Sequence, residues 1–268
     1  SIPLIASSVM SKKLAGGAKG IVLDVKLGTG ALMKTKEDSL ALARAMCDIG
    51  RRAGREMAAL LTSMDEPLGS HVGNALEVKE AIDTLAGRVT GPLLEVSLAL
   101  GAQMLLAGGQ AQTEAEARAM LEKALADGSG LDKFKQMIIA QGGDARVCDD
   151  TSLLPQASMK TEIKSQQEGY ICGMKTEQLG LAAQILGAGR LRKEDVIDYA
   201  AGYILKKRIG DFVNKGEVIA VLHHEATAPY EKAAAMLTDA LLFSKDQPQK
   251  QALIHAMIAR DGKETTWN

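Results

Sequence analysis

Aromatic side chains are scarce in this chain: three Phe, four Tyr and one Trp among 268 residues. Its bulk comes from Ala, Leu and Gly, as in helix-rich α/β enzymes packed with small side chains. Charge of either sign is not in excess. Lys and Arg total 32 against 33 Asp and Glu, a formal net charge of -1 at pH 7, so no polyanionic partner is implied. The longest apolar run is too short to span a bilayer. Cys47, Cys148 and Cys172 are odd in number and widely spaced. That argues against a disulfide framework or a zinc site and for reduced core thiols in a cytosolic protein. His71, His223, His224 and His255 show no ligand spacing, and His223-His224 closes an apolar stretch as an ordinary strand end.

What is there is concentrated in the first thirty-three residues, Ser1 to Met33. Ser1 suits a helix N-cap and Pro3 a first turn, where a missing N–H costs little. Ile5, Ser8, Val9 and Lys12 then follow at i, i+3, i+4 and i+7, one face of a helix. That face sets two apolar side chains beside a hydroxyl and an ammonium. It suits a flat heterocycle with exocyclic oxygens, and it equally suits a plain amphipathic helix with its lysine in water. Glycines at 16, 17 and 20 break the chain before the apolar run Gly20 to Lys26, which reads as a parallel strand covered on both faces. The Gly28-Thr29-Gly30 loop falls at the C-terminal end of that strand, where open α/β sheets bind ligands. Its backbone N–H groups suit a sugar or phosphate. A lone Gly-x-Gly lacks the third glycine and the Lys-Ser/Thr of stronger phosphate motifs, so a structural turn is the competing reading. No individual chemistry attaches to Asp24 or Lys26 from sequence.

Ser1-Ile-Pro-Leu-Ile-Ala-Ser-Ser-Val-Met-Ser-Lys-Lys-Leu-Ala, with Val22-Leu-Asp-Val-Lys-Leu-Gly-Thr-Gly-Ala-Leu-Met-Lys34, resembles the middle of the thymidine/pyrimidine-nucleoside phosphorylase family. The resemblance implies reversible phosphorolysis of uridine, thymidine or deoxyuridine to the free base and (2-deoxy)ribose 1-phosphate, a pentosyltransferase reaction. It implies phosphate as co-substrate, no organic cofactor, no nucleic-acid or membrane partner, a cytoplasmic location and a homodimer. Carried over residue by residue, the catalytic pair is Ser8 and Lys12, which hold the base, with Ile5 and Val9 as apolar neighbours. Leu32 stands where the family often has an aromatic residue near the base, which leaves the choice between uridine and thymidine open. The chain begins with Ser1 inside the family's motif. The base-clamping arginine and the Lys-His-Ser-Thr-Gly-Gly-type phosphate loop are expected upstream. The expectation is therefore a C-terminal fragment with half a base site, inactive alone. A strict thymidine phosphorylase and a non-catalytic ligand-binding or assembly fragment of the same fold are the alternatives.

Further along, Thr35 caps a helix through about Gly54, with Leu42, Ala43, Met46, Ile49 and Ala53 inward, and Met57 to Thr62 forms a second buried strand. Strand, helix, strand predicts a right-handed parallel crossover. A turn-rich loop from Ser63 to Asn74 leads to a helix from Ala75 to Leu85 with Val78, Ile82 and Leu85 inward. Glu77 and Glu80 suit its positive N-terminal end. The family's Leu-Gly-x-x-x-Gly-Asn-x-x-Glu-Val-x-Glu pattern is complete from Leu68 to Glu80. The resemblance implies a monovalent cation there, K+, on the carbonyls of Leu68 and His71 and the carboxylate of Glu80, all oxygens suited to a hard ion.

Pro92 to Gly108 reads as a buried helix, Thr113 with Glu116 as a capping box, and Leu131 to Gln141 as another helix. Strands are expected over Met159 to Ser165, Gly169 to Met174, Tyr203 to Val213 and Val218 to His223, and helices over Thr176 to Leu186 and Ala228 to Phe243. Ile209 to Ala220 resembles the barrel-sandwich of biotinyl and lipoyl carriers, without their modified-lysine hairpin. The polar tail from Asp261 should be frayed. The expected fold class is α/β: a mostly parallel sheet flanked by helices, preceded by one helix of an α-helical domain and followed by a small α+β barrel-sandwich-like domain. Residues 1–16, 17–155 and 156–268 are the expected divisions.

Overall fold

A computed structural model describes residues 1–267. In chain order the elements are α1 (Ile2–Ala15), β1 (Gly20–Leu27), α2 (Lys36–Arg52), β2 (Glu56–Ser63), β3 (His71–Val72), α3 (Asn74–Leu85), α4 (Pro92–Ala107), α5 (Glu114–Ala126) and α6 (Ser129–Ala140). The second half contains β4 (Met159–Lys164), β5 (Gly169–Met174), α7 (Thr176–Leu186), β6 (Gly202–Leu205), β7 (Phe212–Val213), β8 (Val218–His224), α8 (Tyr230–Ala240), β9 (Leu241–Ser244), β10 (Ile254–Ile258) and β11 (Glu264–Thr266). The class is α/β. The chain forms two compact units, and neither is contiguous. One comprises Ser1–Met64, Thr90–Asp127 and the segment from Gln251 onward; the other comprises Asp65–Val89 and Gly128–Lys250.

The first unit is built on β1 and β2, which pair in parallel from Gly20↔Glu56 to Leu27↔Ser63. The crossover between them is α2, whose N-cap Thr35 accepts the Asp38 N–H. Ile21, Leu23 and Val25 on β1 and Met57, Ala59 and Leu61 on β2 form a core with Leu42, Ala43, Met46 and Cys47 of α2 and with Ala6 and Met10 of α1. The inward face of α2 runs through Cys47 and Gly50; Ala53, expected inward, is the exposed C-cap. The sheet order is β1-β2-β10-β11; β1 and β2 pair in parallel, and antiparallel β10 and β11 make the sheet mixed. The tail is therefore not frayed over its described residues. It forms a hairpin whose Glu264 takes a two-pronged hydrogen bond from Arg44 at 2.7 and 2.6 Å. On the capping box of α5, Thr113 accepts the Glu116 N–H, while Glu116 bonds Gln112 N at 2.8 Å.

The second unit holds two antiparallel sheets, β3-β6-β8-β4 and β7-β5-β9. Both contribute to one core, with Ile163, Ile171, Tyr203, Val213 and Ile219 packed against Leu179 of α7 and Leu237 of α8. The buried Tyr203 hydroxyl donates to Leu179 O at 2.9 Å. The stretch expected as one strand from Tyr203 to Val213 is broken into β6 and β7, because Arg208 to Asp211 turn there. The helix expected to reach Phe243 ends at Ala240, and its apolar continuation is β9, paired with β5. On α3, Val78 faces solvent; Ala75, Leu76, Glu80, Ile82 and Thr84 are the buried set. Where β3 meets β6, Gly73 and Gly202 lie at φ 139 and 151, and a Cβ on Gly202 would stand 2.1 Å from Val72 O. No helix among the described residues is long and apolar enough to cross a membrane.

His223, on β8, is 8% exposed. Burial first, and then the positive charges of Lys160, His71, Lys206 and His224, push its imidazole down to about 4. An unfolded histidine takes up its proton near pH ~6.5. The stability this neutral imidazole supports is thus complete above that pH and is lost as pH falls toward about 4. The loss should total about 3 kcal/mol. His223→Gln should flatten this part of the stability–pH curve, as measured by urea denaturation across the window.

Candidate active site

The helix α1 ends at Gly16 and Gly17, and Lys12 and Lys13 in its last turn suit the negative end of its dipole. Its fully buried positions are Ala6 and Met10, with Ile5 and Val9 half-buried against the same core. Ser8 and Lys12 are exposed on the flank. Among the described residues neither the Ser8 hydroxyl nor the Lys12 ammonium has a hydrogen-bond or ion-pair partner.

A cavity of about 290 Å³ lies against β1, lined by Val9 and Lys13 of α1, by Asp24 and Lys26 of β1, and by Leu32 and Met33 beyond it. Two residues named from sequence, Val9 and Leu32, therefore share one cavity. Ile5, Ser8 and Lys12 are not in its lining. Lys13, Asp24 and Lys26 are, and the sequence reading gave them no role. A signal was present: Val9 and Lys13 are four apart on a helix, and Asp24 and Lys26 are two charges on one face of an apolar strand. Lys26 Nζ meets Asp24 Oδ2 at 2.7 Å and Thr62 Oγ1 at 2.9 Å, and Thr62 Oγ1 donates to Asp24 Oδ1 at 2.5 Å.

The glycine loop beside them spends its donors on itself. Gly28 N bonds Met33 O at 3.3 Å, Gly30 N bonds Met64 O at 2.9 Å, and Ala31 N bonds Gly28 O at 3.0 Å. Those amides are not available to a phosphate, so here the loop acts as a turn.

In the second unit, Glu80 is 5% exposed and gathers the loop before α3. Its Oε1 accepts Ser70 N at 2.8 Å and its Oε2 accepts His71 N at 3.1 Å. Burial pushes its pKa upward, but the His71 ring, with Nδ1 3.4 Å from Oε1, and hydrogen bonds from the loop amides outweigh that and leave it lowered. Leu205 N bonds Ser70 O at 2.8 Å. Antiparallel alternation then turns the His71 carbonyl away from β6. Arg208 donates to Pro67 O at 2.6 Å and Leu68 O at 3.3 Å, and pairs with Glu66 at 3.0 Å. The Glu80 carboxylate is an oxygen donor of the kind a hard cation takes, and the Leu68 oxygen already accepts from the Arg208 guanidinium.

Two family models match the chain. The glycosyl transferase family a/b domain covers residues 1–131, and the pyrimidine nucleoside phosphorylase C-terminal domain covers residues 170–244. The chain belongs to the pyrimidine nucleoside phosphorylase family. Curated relatives carry the name pyrimidine-nucleoside phosphorylase. That of Geobacillus stearothermophilus is 52% identical over 223 residues, 83% of this chain and 52% of the relative. That of Bacillus subtilis is 46% identical over 258 residues, 96% of this chain and 59% of the relative. A Staphylococcus aureus relative is 51% identical over 223 residues. The chain thus spans somewhat more than half the length of these phosphorylases.

The loop that Glu80 gathers in this family member is tight at one position. A Cβ on Gly69 would stand 2.1 Å from Glu80 Oε2. Gly69→Ala should destabilise the second unit by about 1–3 kcal/mol through overpacking. Thermal denaturation would register the loss, and faster hydrogen exchange at Ser70 and His71 would locate it.

Proposed function

We propose that this chain serves a pyrimidine nucleoside phosphorylase. The carrying observation is the match of residues 1–131 to the family domain, which encloses α1 and the cavity shared by Val9 and Leu32. In this reading Ser8 and Lys12 hold the rim of the pyrimidine, and Ile5, Val9 and Leu32 are its apolar neighbours. Their support is the exposure of both polar side chains without an internal partner among the described residues. Phosphate attacks C1′ of the nucleoside as the base departs. The sugar acquires oxocarbenium character and negative charge grows on the base. Donors aimed at that growing charge stabilise the transition state more than the ground state. No side chain has to act as nucleophile, because phosphate does.

The cation reading belongs here as well: a K+ held by the Leu68 and His71 carbonyls and the Glu80 carboxylate. Its support is the oxygen donor set and the buried charge of Glu80. The cytoplasmic location draws on Cys47, Cys148 and Cys172, all free. The homodimer rests on the family resemblance.

In a phosphorolytically active protein carrying this chain, Lys12→Ala should slow uridine and thymidine phosphorolysis about a hundredfold, corresponding to ~3 kcal/mol of transition-state stabilisation. The melting temperature should stay unchanged. Near wild-type turnover would remove Lys12 from the mechanism. Rates on the two nucleosides, compared in the unmodified protein, decide between broad and thymidine-restricted use.

A further inference from the structure

The Asp24–Lys26–Thr62 ring lies on the face of β1 turned away from the α1–α2 core. Alternate residues of β1 bury Ile21, Leu23 and Val25, while the opposite face carries Asp24 and Lys26, each 25% exposed. Thr62, opposite Lys26 in the register, is fully buried. A half-sheltered ion pair of this kind is weak stabilisation, often matched by apolar residues of similar size.

The hydrogen-bond count shows what the ring still offers. The Lys26 ammonium has three N–H donors and uses two, one on Asp24 and one on Thr62. Asp24 accepts one bond on each carboxylate oxygen, which leaves a lone pair on each. Thr62 fixes both rotamers from the buried side. The ring therefore presents one donor and one acceptor, side by side, at the C-terminal end of a parallel strand and in the wall of the cavity that Val9 and Leu32 share. A phosphate dianion is a poor match, because the carboxylate 2.7 Å from the ammonium repels it. A hydroxyl, which both gives and takes a hydrogen bond, is a good one.

We propose that Asp24 and Lys26, held in place by Thr62, bind a hydroxyl of the substrate's pentose. This rests on the nucleoside phosphorylase reading above. The Asp24 carboxylate takes the hydroxyl proton in a hydrogen bond, and the Lys26 ammonium donates to the hydroxyl oxygen. No proton is transferred.

The test compares kcat/KM for uridine with 2′-deoxy-, 3′-deoxy- and 5′-deoxyuridine in the phosphorolytically active protein carrying this chain. The unmodified protein should lose roughly ten- to a hundredfold on the analogue lacking the bound hydroxyl. Asp24→Asn and Lys26→Met should slow uridine turnover to a similar degree and make that same deletion nearly silent. A purely structural ring would lower rates on all four nucleosides alike. The double variant Asp24→Asn/Lys26→Met removes both charges together, so a folding defect in either single variant does not hide the answer. Discrimination among the four nucleosides equal to that of the unmodified protein overturns the proposal. Absence of phosphorolysis in the unmodified protein overturns instead the reading it rests on, and this proposal with it.

Discussion

The pairing register of β1 and β2 governs the first unit. Because a strand presents alternate faces, a slip of one residue would turn Ile21, Leu23 and Val25 toward the polar side and carry Asp24 and Lys26 into the α1–α2 core. Burying that ion pair among Leu42, Met46 and Met10 would cost several kcal/mol per charge. The apolar pattern therefore fixes the register, and the register alone sets Lys26 opposite Thr62. Everything on the cavity wall follows from that alignment: the ring, the turn that begins at Gly28, and the place of Leu32 beyond it.

The second unit solves a related problem with backbone amides. Glu80 is a carboxylate on the inner face of α3, and the N–H groups of Ser70 and His71 take its charge. Glu66 does the same for Ile209 N at 3.0 Å while it also pairs with Arg208. Glu66 and Arg208 tie the loop before α3 to the turn between β6 and β7, far apart in sequence, while Glu80 ties the same loop to α3. Gly202 is glycine because its approach to the Val72 carbonyl leaves no room for a Cβ, and a Cβ on Gly69 would push against the Glu80 carboxylate. The order of this loop is thus electrostatic and steric, with little help from apolar burial.

Much of this was legible in the sequence where the signal was local. Thr35 announced α2, Thr113 and Glu116 announced α5, and the strand–helix–strand pattern gave the parallel pair. The misses are non-local. Leu241 to Ser244 reads as more of α8 until β5 is seen beside it. Glu264 reads as a charged tail until Arg44, 220 residues earlier, is seen to hold it. Val78 carries the right apolar type at the right spacing, but the face of α3 turns inward around Glu80, whose charge a periodicity argument assigns to solvent. At the candidate site, Ser8, Lys12, Val9 and Leu32 came from motif resemblance. The Asp24–Lys26–Thr62 ring did not, because its third member lies 36 positions away and joins only through sheet register.

The charge arrangement constrains which part of the proposed reaction this chain can assist. The amides of Gly28, Gly30 and Ala31 are spent within their own loop and its neighbours, so no cradle of free N–H groups forms from them. Lys26 is neutralised by Asp24 at 2.7 Å. What remains uncompensated on this side are the ammoniums of Lys12 and Lys13, close to the C-terminal end of α1, whose dipole they partly offset. The spent amides and the paired Lys26 offer a dianion little grip, and the two exposed ammoniums are left to act elsewhere. They are well suited to a neutral group that becomes negative only as a bond breaks, because a donor that gains little from the ground state lowers the barrier most. A departing pyrimidine is that kind of group. The same logic separates the polar clusters: the exposed donors of α1 answer to changing charge, and the neutral ring on β1 answers to position.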